Sequence, residues 1–156
     1  IDESYPDSLQ GEEIPVFISR EKAQAYKSLL TGRTLLITAD TIVWLNGKVY
    51  GKPHDKDDAR AMLRALSGNT HTVITGVTIA TCDKEVSFAT STEVSFARLT
   101  DEEIDYYVEK YAPLDKAGAY GIQEWIGYVG VTGIQGSYYN VMGLPIQRLY
   151  QELKKF

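Results

Sequence analysis

Leu35-Leu36-Ile37-Thr38-Ala39-Asp40-Thr41-Ile42-Val43-Trp44-Leu45-Asn46-Gly47-Lys48-Val49-Tyr50 is the stretch from which the fold can be read. Residues 35–39 form a short, nearly continuous apolar run, the pattern of a strand buried on both faces, and Ile42 to Leu45 continue it. Asn46-Gly47 is the strongest short hairpin signal, because both central residues of such a turn need positive φ. Lys48 to Tyr50 is then the returning strand.

Working outward, residues 12–30 read as a helix, with Val16, Phe17, Arg20, Ala23 and Tyr26 at spacings of three and four. Lys22 lies on it and Gly32 stops it. Downstream, residues 55–66 predict a second helix. Acidic residues fill its first turn and Arg60 and Arg64 come later, as the helix dipole prefers. Ala59, Met62, Leu63 and Leu66 form its apolar face, and Ser67-Gly68 ends it. Residues 72–81 and 85–96 are rich in Val, Ile, Thr and Phe and predict two adjacent strands joined through Cys82-Asp83-Lys84. Thr100 and Glu103 match a capping box that opens a helix running to about Tyr111. Residues 124–132 read as a further strand. Gly143-Leu144-Pro145 opens the last helix, with proline in its first turn. Helices interleaved with strands and hairpins predict an α/β fold, a mixed twisted sheet flanked by helices. With no repeat, low-complexity segment or linker, residues 1–156 are read as a single domain.

Composition bounds the function. The hydrophobic fraction is 44% and the charged fraction 24%, values of a chain with a real core. Sixteen Lys and Arg against 21 Asp and Glu give a net charge of −5. That balance argues against a nucleic-acid binder, which replaces phosphate counterions with excess cations. It does not exclude a small phosphorylated ligand, for which a few local cations suffice. No apolar run approaches the roughly 20 residues of a membrane span. The single cysteine, Cys82, cannot form an internal disulfide, which points to a reducing, cytoplasmic setting.

Several residues can carry chemistry. Asp40 follows the apolar run, at or near a strand edge where loops form clefts, and can serve there as a general base; the alternative is an ordinary turn aspartate. Gly51-Lys52-Pro53 sets a lysine between two backbone-restricting residues, and lysine suits phosphate as a point charge. Asp115-Lys116-Ala117-Gly118-Ala119-Tyr120-Gly121-Ile122-Gln123 is the most unusual stretch. It pairs opposite charges, then places small residues before an amide that can read a polar base edge; a tight structural turn is the competing account. Two histidines and one cysteine give no zinc spacing. His71 reads as structural and His54 as exposed. No G-x-x-x-x-G-K-[ST], G-x-G-x-x-G or G-x-S-x-G motif occurs.

Taken together, several segments resemble the Maf family. They are Ala39-Asp40-Thr41 with Ile42-Val43, Gly51-Lys52-Pro53, Leu66-Ser67-Gly68, Thr70-His71 with Val73, Thr75 and Gly76, the block Asp115 to Gln123, and Asn140-Val141 with Gly143-Leu144-Pro145. Their order and spacing agree along the whole chain. The resemblance implies a nucleoside triphosphate pyrophosphatase of the branch acting on dTTP and UTP, with CTP or modified pyrimidine nucleotides as further candidates. It implies a divalent cation, Mg²⁺ or Mn²⁺, and the two-lobed fold around a cleft shared with inosine triphosphate pyrophosphatases. Asp40 matches the family's proton acceptor; Thr41 and Gln123 match positions tied to base choice. Asp2-Glu3, Lys22, Lys52 and Lys116 match charged positions of the cleft, with Glu3 a candidate metal ligand. Whether Asp40 acts as base or as metal ligand stays open. The resemblance also admits a homodimer and a role in septum formation, so a nucleotide-binding regulator without turnover is the alternative reading. The family opens with a strand and a Ser-x-Ser-Pro-Arg-Arg phosphate loop that these residues do not contain. The expectation is that the full protein carries that segment, and that material truly lacking it shows little turnover.

Overall fold

The computed structural model describes residues 3–156. Helix α1 (Glu13–Tyr26) is followed by strand β1 (Leu36–Leu45), strand β2 (Lys48–Tyr50) and helix α2 (Lys56–Leu66). Strands β3 (Thr70–Ala80) and β4 (Glu85–Phe96) precede helix α3 (Asp101–Tyr111) and the short helix α4 (Trp125–Gly130). Strand β5 (Val131–Gln135), helix α5 (Tyr138–Met142) and helix α6 (Ile146–Lys155) complete the chain. The fold is α/β, with the five strands ordered β2-β1-β3-β4-β5.

The hairpin forms as its turn residues require. Asn46 and Gly47 take φ of 52° and 78°, and β1 and β2 run antiparallel with Val43 opposite Tyr50 and Leu45 opposite Lys48. The apolar run at the start of β1 is not buried on both faces, as the sequence suggests. Leu35 is 45% and Ile37 37% exposed. β2 pairs only with residues 43–45, so among the described residues the first half of β1 has β3 alone beside it.

The chain divides into two compact units, and β1, β3 and β4 each run through both. The first holds the chain up to Thr41, Ile74–Ser91 and Tyr139–Phe156. Alternation along β3 organises it. Val77 and Ile79 pack with Phe88 and with Leu149 of α6, whereas Gly76 and Thr78 face α1. A Cβ on Gly76 would lie 2.3 Å from the carbonyl carbon of Pro15, so the missing side chain lets the α1 backbone rest on the sheet. That close approach also explains which face of α1 is buried. Ile14, Pro15, Ile18, Ser19 and Ala23 are inside, rather than the stripe through Val16, Phe17 and Tyr26 that spacing suggests.

The second unit holds Ile42–Val73 and Thr92–Tyr138. Here α2 begins at Asp55, whose carboxylate accepts from the Asp58 N–H at 2.7 Å. Its Ala59, Leu63 and Leu66 are buried. Helix α3 begins with the full capping box, Thr100 and Glu103 bonding each other's backbone N–H. Arg60 of α2 joins Asp105 and Glu109 of α3. His71, Phe96 and Tyr120 form a buried edge-to-face cluster with centroids 4.9–5.4 Å apart. The Nε2 of His71 lies 2.6 Å from the Tyr120 hydroxyl, and burial lowers the His71 pKa to about 4.

The segment 124–132 departs from its expected strand. It forms α4 and only then β5, which pairs antiparallel with β4 from Glu93 to Phe96. Its Val, Ile, Trp and Tyr favour strand locally, but tertiary packing overrides β-propensity. Gly127 donates to the Glu124 carbonyl at 2.9 Å, and a Cβ there would lie 1.7 Å from the Ile122 oxygen. A chain this tightly coiled cannot extend.

Candidate active site

Asp40 sits within β1, five residues before its end, rather than at a strand edge. Its surroundings follow from one serine. Ser19, buried on α1, shares a hydrogen bond of 2.8 Å with Thr78 of β3, while Thr38 of β1 donates to the Ser19 carbonyl at 2.6 Å. These bonds fix α1 against β1 and β3. Lys22 stands one helical turn beyond Ser19 and Asp40 stands two residues beyond Thr38, on the same strand face. The two meet: Lys22 Nζ lies 3.4 Å from Asp40 Oδ1.

Among the described residues, two further oxygens lie beside that ammonium. Lys22 donates to the Ala39 carbonyl at 3.0 Å and lies 3.3 Å from Glu3 Oε2. An ammonium has three N–H donors, and three oxygens of the described residues surround this one. The Asp40 side chain is 12% exposed and that of Glu3 40%. Lys22 therefore holds two carboxylates around one positive centre, with Asp40 the more enclosed. Asp2 lies outside the described residues. Among the described residues no three His, Cys, Asp or Glu side chains gather as a ready-made metal cage.

Thr41 follows Asp40 directly and so faces the other side of the strand. Its hydroxyl is 2.8 Å from that of Thr75 on β3, and Thr75 donates to the Asn140 carbonyl at 3.2 Å. Asn140, wholly buried, donates from its amide to the Thr90 carbonyl at 3.0 Å. Asp40 thus turns to α1 and Thr41 to the segment of α5.

Lys52, Lys116 and Gln123 belong to the second unit. The segments that carry the two lysines meet there, because Gly118 donates its N–H to the Gly51 carbonyl at 3.1 Å. Gly118 has φ of 70°, and a Cβ on it would lie 2.6 Å from a methyl of Val43. The Asp115–Gln123 stretch is thus a tight turn, and the missing side chain of Gly118 lets its backbone lie against Val43. Lys52 is exposed, Lys116 is half-buried beside Asp115 at 3.5 Å, and Gln123 is exposed in a turn. Sequence reasoning passed over Thr75 as a partner of Thr41, and Tyr107, which on α3 reads as one more core aromatic. Nothing in their local spacing marks either.

Comparison with known proteins bears on this arrangement. The family described as Maf-like protein matches residues 1–156. A protein of Phocaeicola vulgatus named dTTP/UTP pyrophosphatase is 64% identical over 155 residues, spanning 99% of this chain and 80% of its own length. One of the same name from Parabacteroides distasonis is 62% identical over 156 residues, spanning 100% and 81%. Another from Porphyromonas gingivalis is 54% identical over 158 residues, spanning 100% and 79%. With the match running the length of the sequence and Asp40 held between Lys22 and its strand, the chain belongs to the Maf-like protein family.

Proposed function

We propose that this chain is a nucleoside triphosphate pyrophosphatase that converts dTTP and UTP to the monophosphate and pyrophosphate, residues 1–156 acting as one domain. The observation that carries the reading is the pairing of Asp40 with Lys22 in a chain so similar to proteins named dTTP/UTP pyrophosphatase.

Asp40 is the proton acceptor. Water attacks the α-phosphorus, the bond to the bridging oxygen breaks, pyrophosphate leaves, and the proton of the water passes to the Asp40 carboxylate. Lys22 holds that carboxylate by Oδ1, so its orientation is set before substrate arrives, and preorganised charge is the larger part of such catalysis. Lys52 and Lys116 offset triphosphate charge as point cations. Gln123 reads the base through its amide, and Thr41 acts on base choice through the Thr41–Thr75–Asn140 chain.

The donor set suits a hard divalent cation. Mg²⁺ is commonly bound by one or two carboxylates together with substrate phosphates, and Glu3 and Asp40 are two carboxylates already gathered around a positive group. Mg²⁺ or Mn²⁺ held there would neutralise charge developing on the phosphates. The exposed lone Cys82 fits a reducing cytoplasm, and no described helix is long and apolar enough to cross a membrane. A homodimer is part of the same proposal.

The test is pyrophosphate release from UTP and dTTP with Mg²⁺, in the parent protein and in Asp40→Asn. Loss of a positioned general base lowers turnover about 10²- to 10⁴-fold, with the circular dichroism spectrum and unfolding midpoint retained. Equal activity in the two proteins removes Asp40 from this role. Nucleotide binding without pyrophosphate release favours the regulator instead.

A further inference from the structure

Gly121-Ile122-Gln123-Glu124 forms a turn closed by the Glu124 N–H on the Gly121 carbonyl at 3.0 Å. Three neighbours lock it. Tyr107 of α3 is wholly buried, and its hydroxyl accepts from the Gly121 N–H at 3.0 Å while donating to Glu124 Oε1 at 2.5 Å. The stem of Lys116 lies so near that a Cβ on Gly121 would be 2.7 Å from its Cε. Gly127 brings α4 against the Ile122 carbonyl, where a Cβ would lie 1.7 Å away. Gly121 and Ile122 are buried and Glu124 is half-buried, so the one exposed side chain of this turn is Gln123.

Exposed turns ordinarily fray, and a solvent-facing amide needs no buried phenol beneath it. Reading a base edge is different. An amide offers an acceptor and two donors, and a recognition group works only when held within about 0.5 Å and 20° of its productive geometry. Uracil and thymine, joined to their sugar through N1, offer the N3–H donor between two carbonyl acceptors, a pattern that a fixed amide can match.

We propose that Tyr107 is a positioning residue for base recognition. It ties both ends of the Gly121–Glu124 turn from the buried side and so holds the Gln123 amide in register with a uracil or thymine edge. This rests on the reading of Gln123 as the base-facing residue. Tyr107 touches no reacting atom, so its loss acts on selectivity and KM rather than on the chemical step.

The experiment compares kcat and KM for UTP, dTTP, CTP and GTP in Tyr107→Phe, Glu124→Ala, Gln123→Ala and the double variant Tyr107→Phe/Gln123→Ala. Tyr107→Phe, which removes both bonds of the hydroxyl, is expected to raise KM for UTP and dTTP about tenfold, the scale of one lost hydrogen bond between Gln123 and the base, and to flatten the preference over CTP and GTP. Its kcat is expected to stay within about twofold, as for lost uniform binding. Glu124→Ala, at a half-buried position, shows the same pattern and decides by the same criteria if Tyr107→Phe does not fold. In the Gln123→Ala background, Tyr107→Phe changes base preference no further. An equal fall in kcat on every nucleotide with the preference intact overturns the proposal, as does a change of preference that is the same with and without Gln123. If Gln123→Ala itself leaves the preference unchanged, the base-reading role of Gln123 fails and the proposal with it. That outcome is distinct from Gln123→Ala acting while Tyr107→Phe does not, which sinks the positioning role alone.

Discussion

Replacing Gly76 by alanine tests how the candidate site is built. The added Cβ would lie 2.3 Å from Pro15 C, 2.4 Å from Val16 N and 2.5 Å from Pro15 O. All three are backbone atoms of the first turn of α1, so no side chain can rotate aside. Restoring ordinary contact near 3.4 Å requires α1 to lift from β3 by about 3.4 − 2.3 = 1.1 Å. A shift of that size along the contact stretches the 2.8 Å Ser19–Thr78 bond and the 2.6 Å Thr38–Ser19 bond beyond useful length. Overpacking costs about 1–3 kcal/mol and each lost hydrogen bond about 1 kcal/mol, so Gly76→Ala is expected to destabilise by about 3 kcal/mol or more. Denaturant unfolding measures this directly. Gly133→Ala on β5 is the control, because a Cβ there meets nothing within 4 Å. The same lift draws Lys22 away from Asp40, so pyrophosphate release should fall in the fraction that remains folded. An unfolding free energy within about 0.5 kcal/mol of the parent, the range of neutral surface changes, would refute the close helix–sheet approach and the site built on it.

The other predictions are more local. Folded His71 takes up a proton only near pH 4, whereas an unfolded histidine does so near 6.5. Below 6.5 the unfolded state therefore binds the extra proton. The stability contribution of neutral His71 is whole above pH 6.5 and lost as pH falls toward 4, by up to about 3 kcal/mol. Unfolding curves across that range should show the slope in the parent and its absence in His71→Gln. Thr100→Ala removes the cap of α3 and should cost about 1 kcal/mol, read from the urea midpoint. Equal midpoints would mean that the capping box contributes nothing to stability.

Local chemistry made much of the fold legible. Asn46-Gly47 demanded its turn, Thr100 with Glu103 demanded a helix start, and the Val- and Thr-rich runs demanded strands, because each signal acts within a few residues. Asp40, Lys22 and the Asp115–Gln123 block could be picked out by residue type and by likeness to a family. Packing decided the rest. The sequence does not say that Lys22 meets Asp40 across 18 positions; that follows from Ser19 anchoring one helix to two strands. Nor does it say that Asp40 and Thr41 turn to opposite sides, or that Trp125–Gly130 coils where its residues favour extension. Tyr107 goes unmarked in the sequence and bonds Gly121 and Glu124 only once α3 lies beneath the Gln123 turn. Propensity and capping are properties of neighbours along the chain, whereas a site is made by side chains that burial brings together from distant positions.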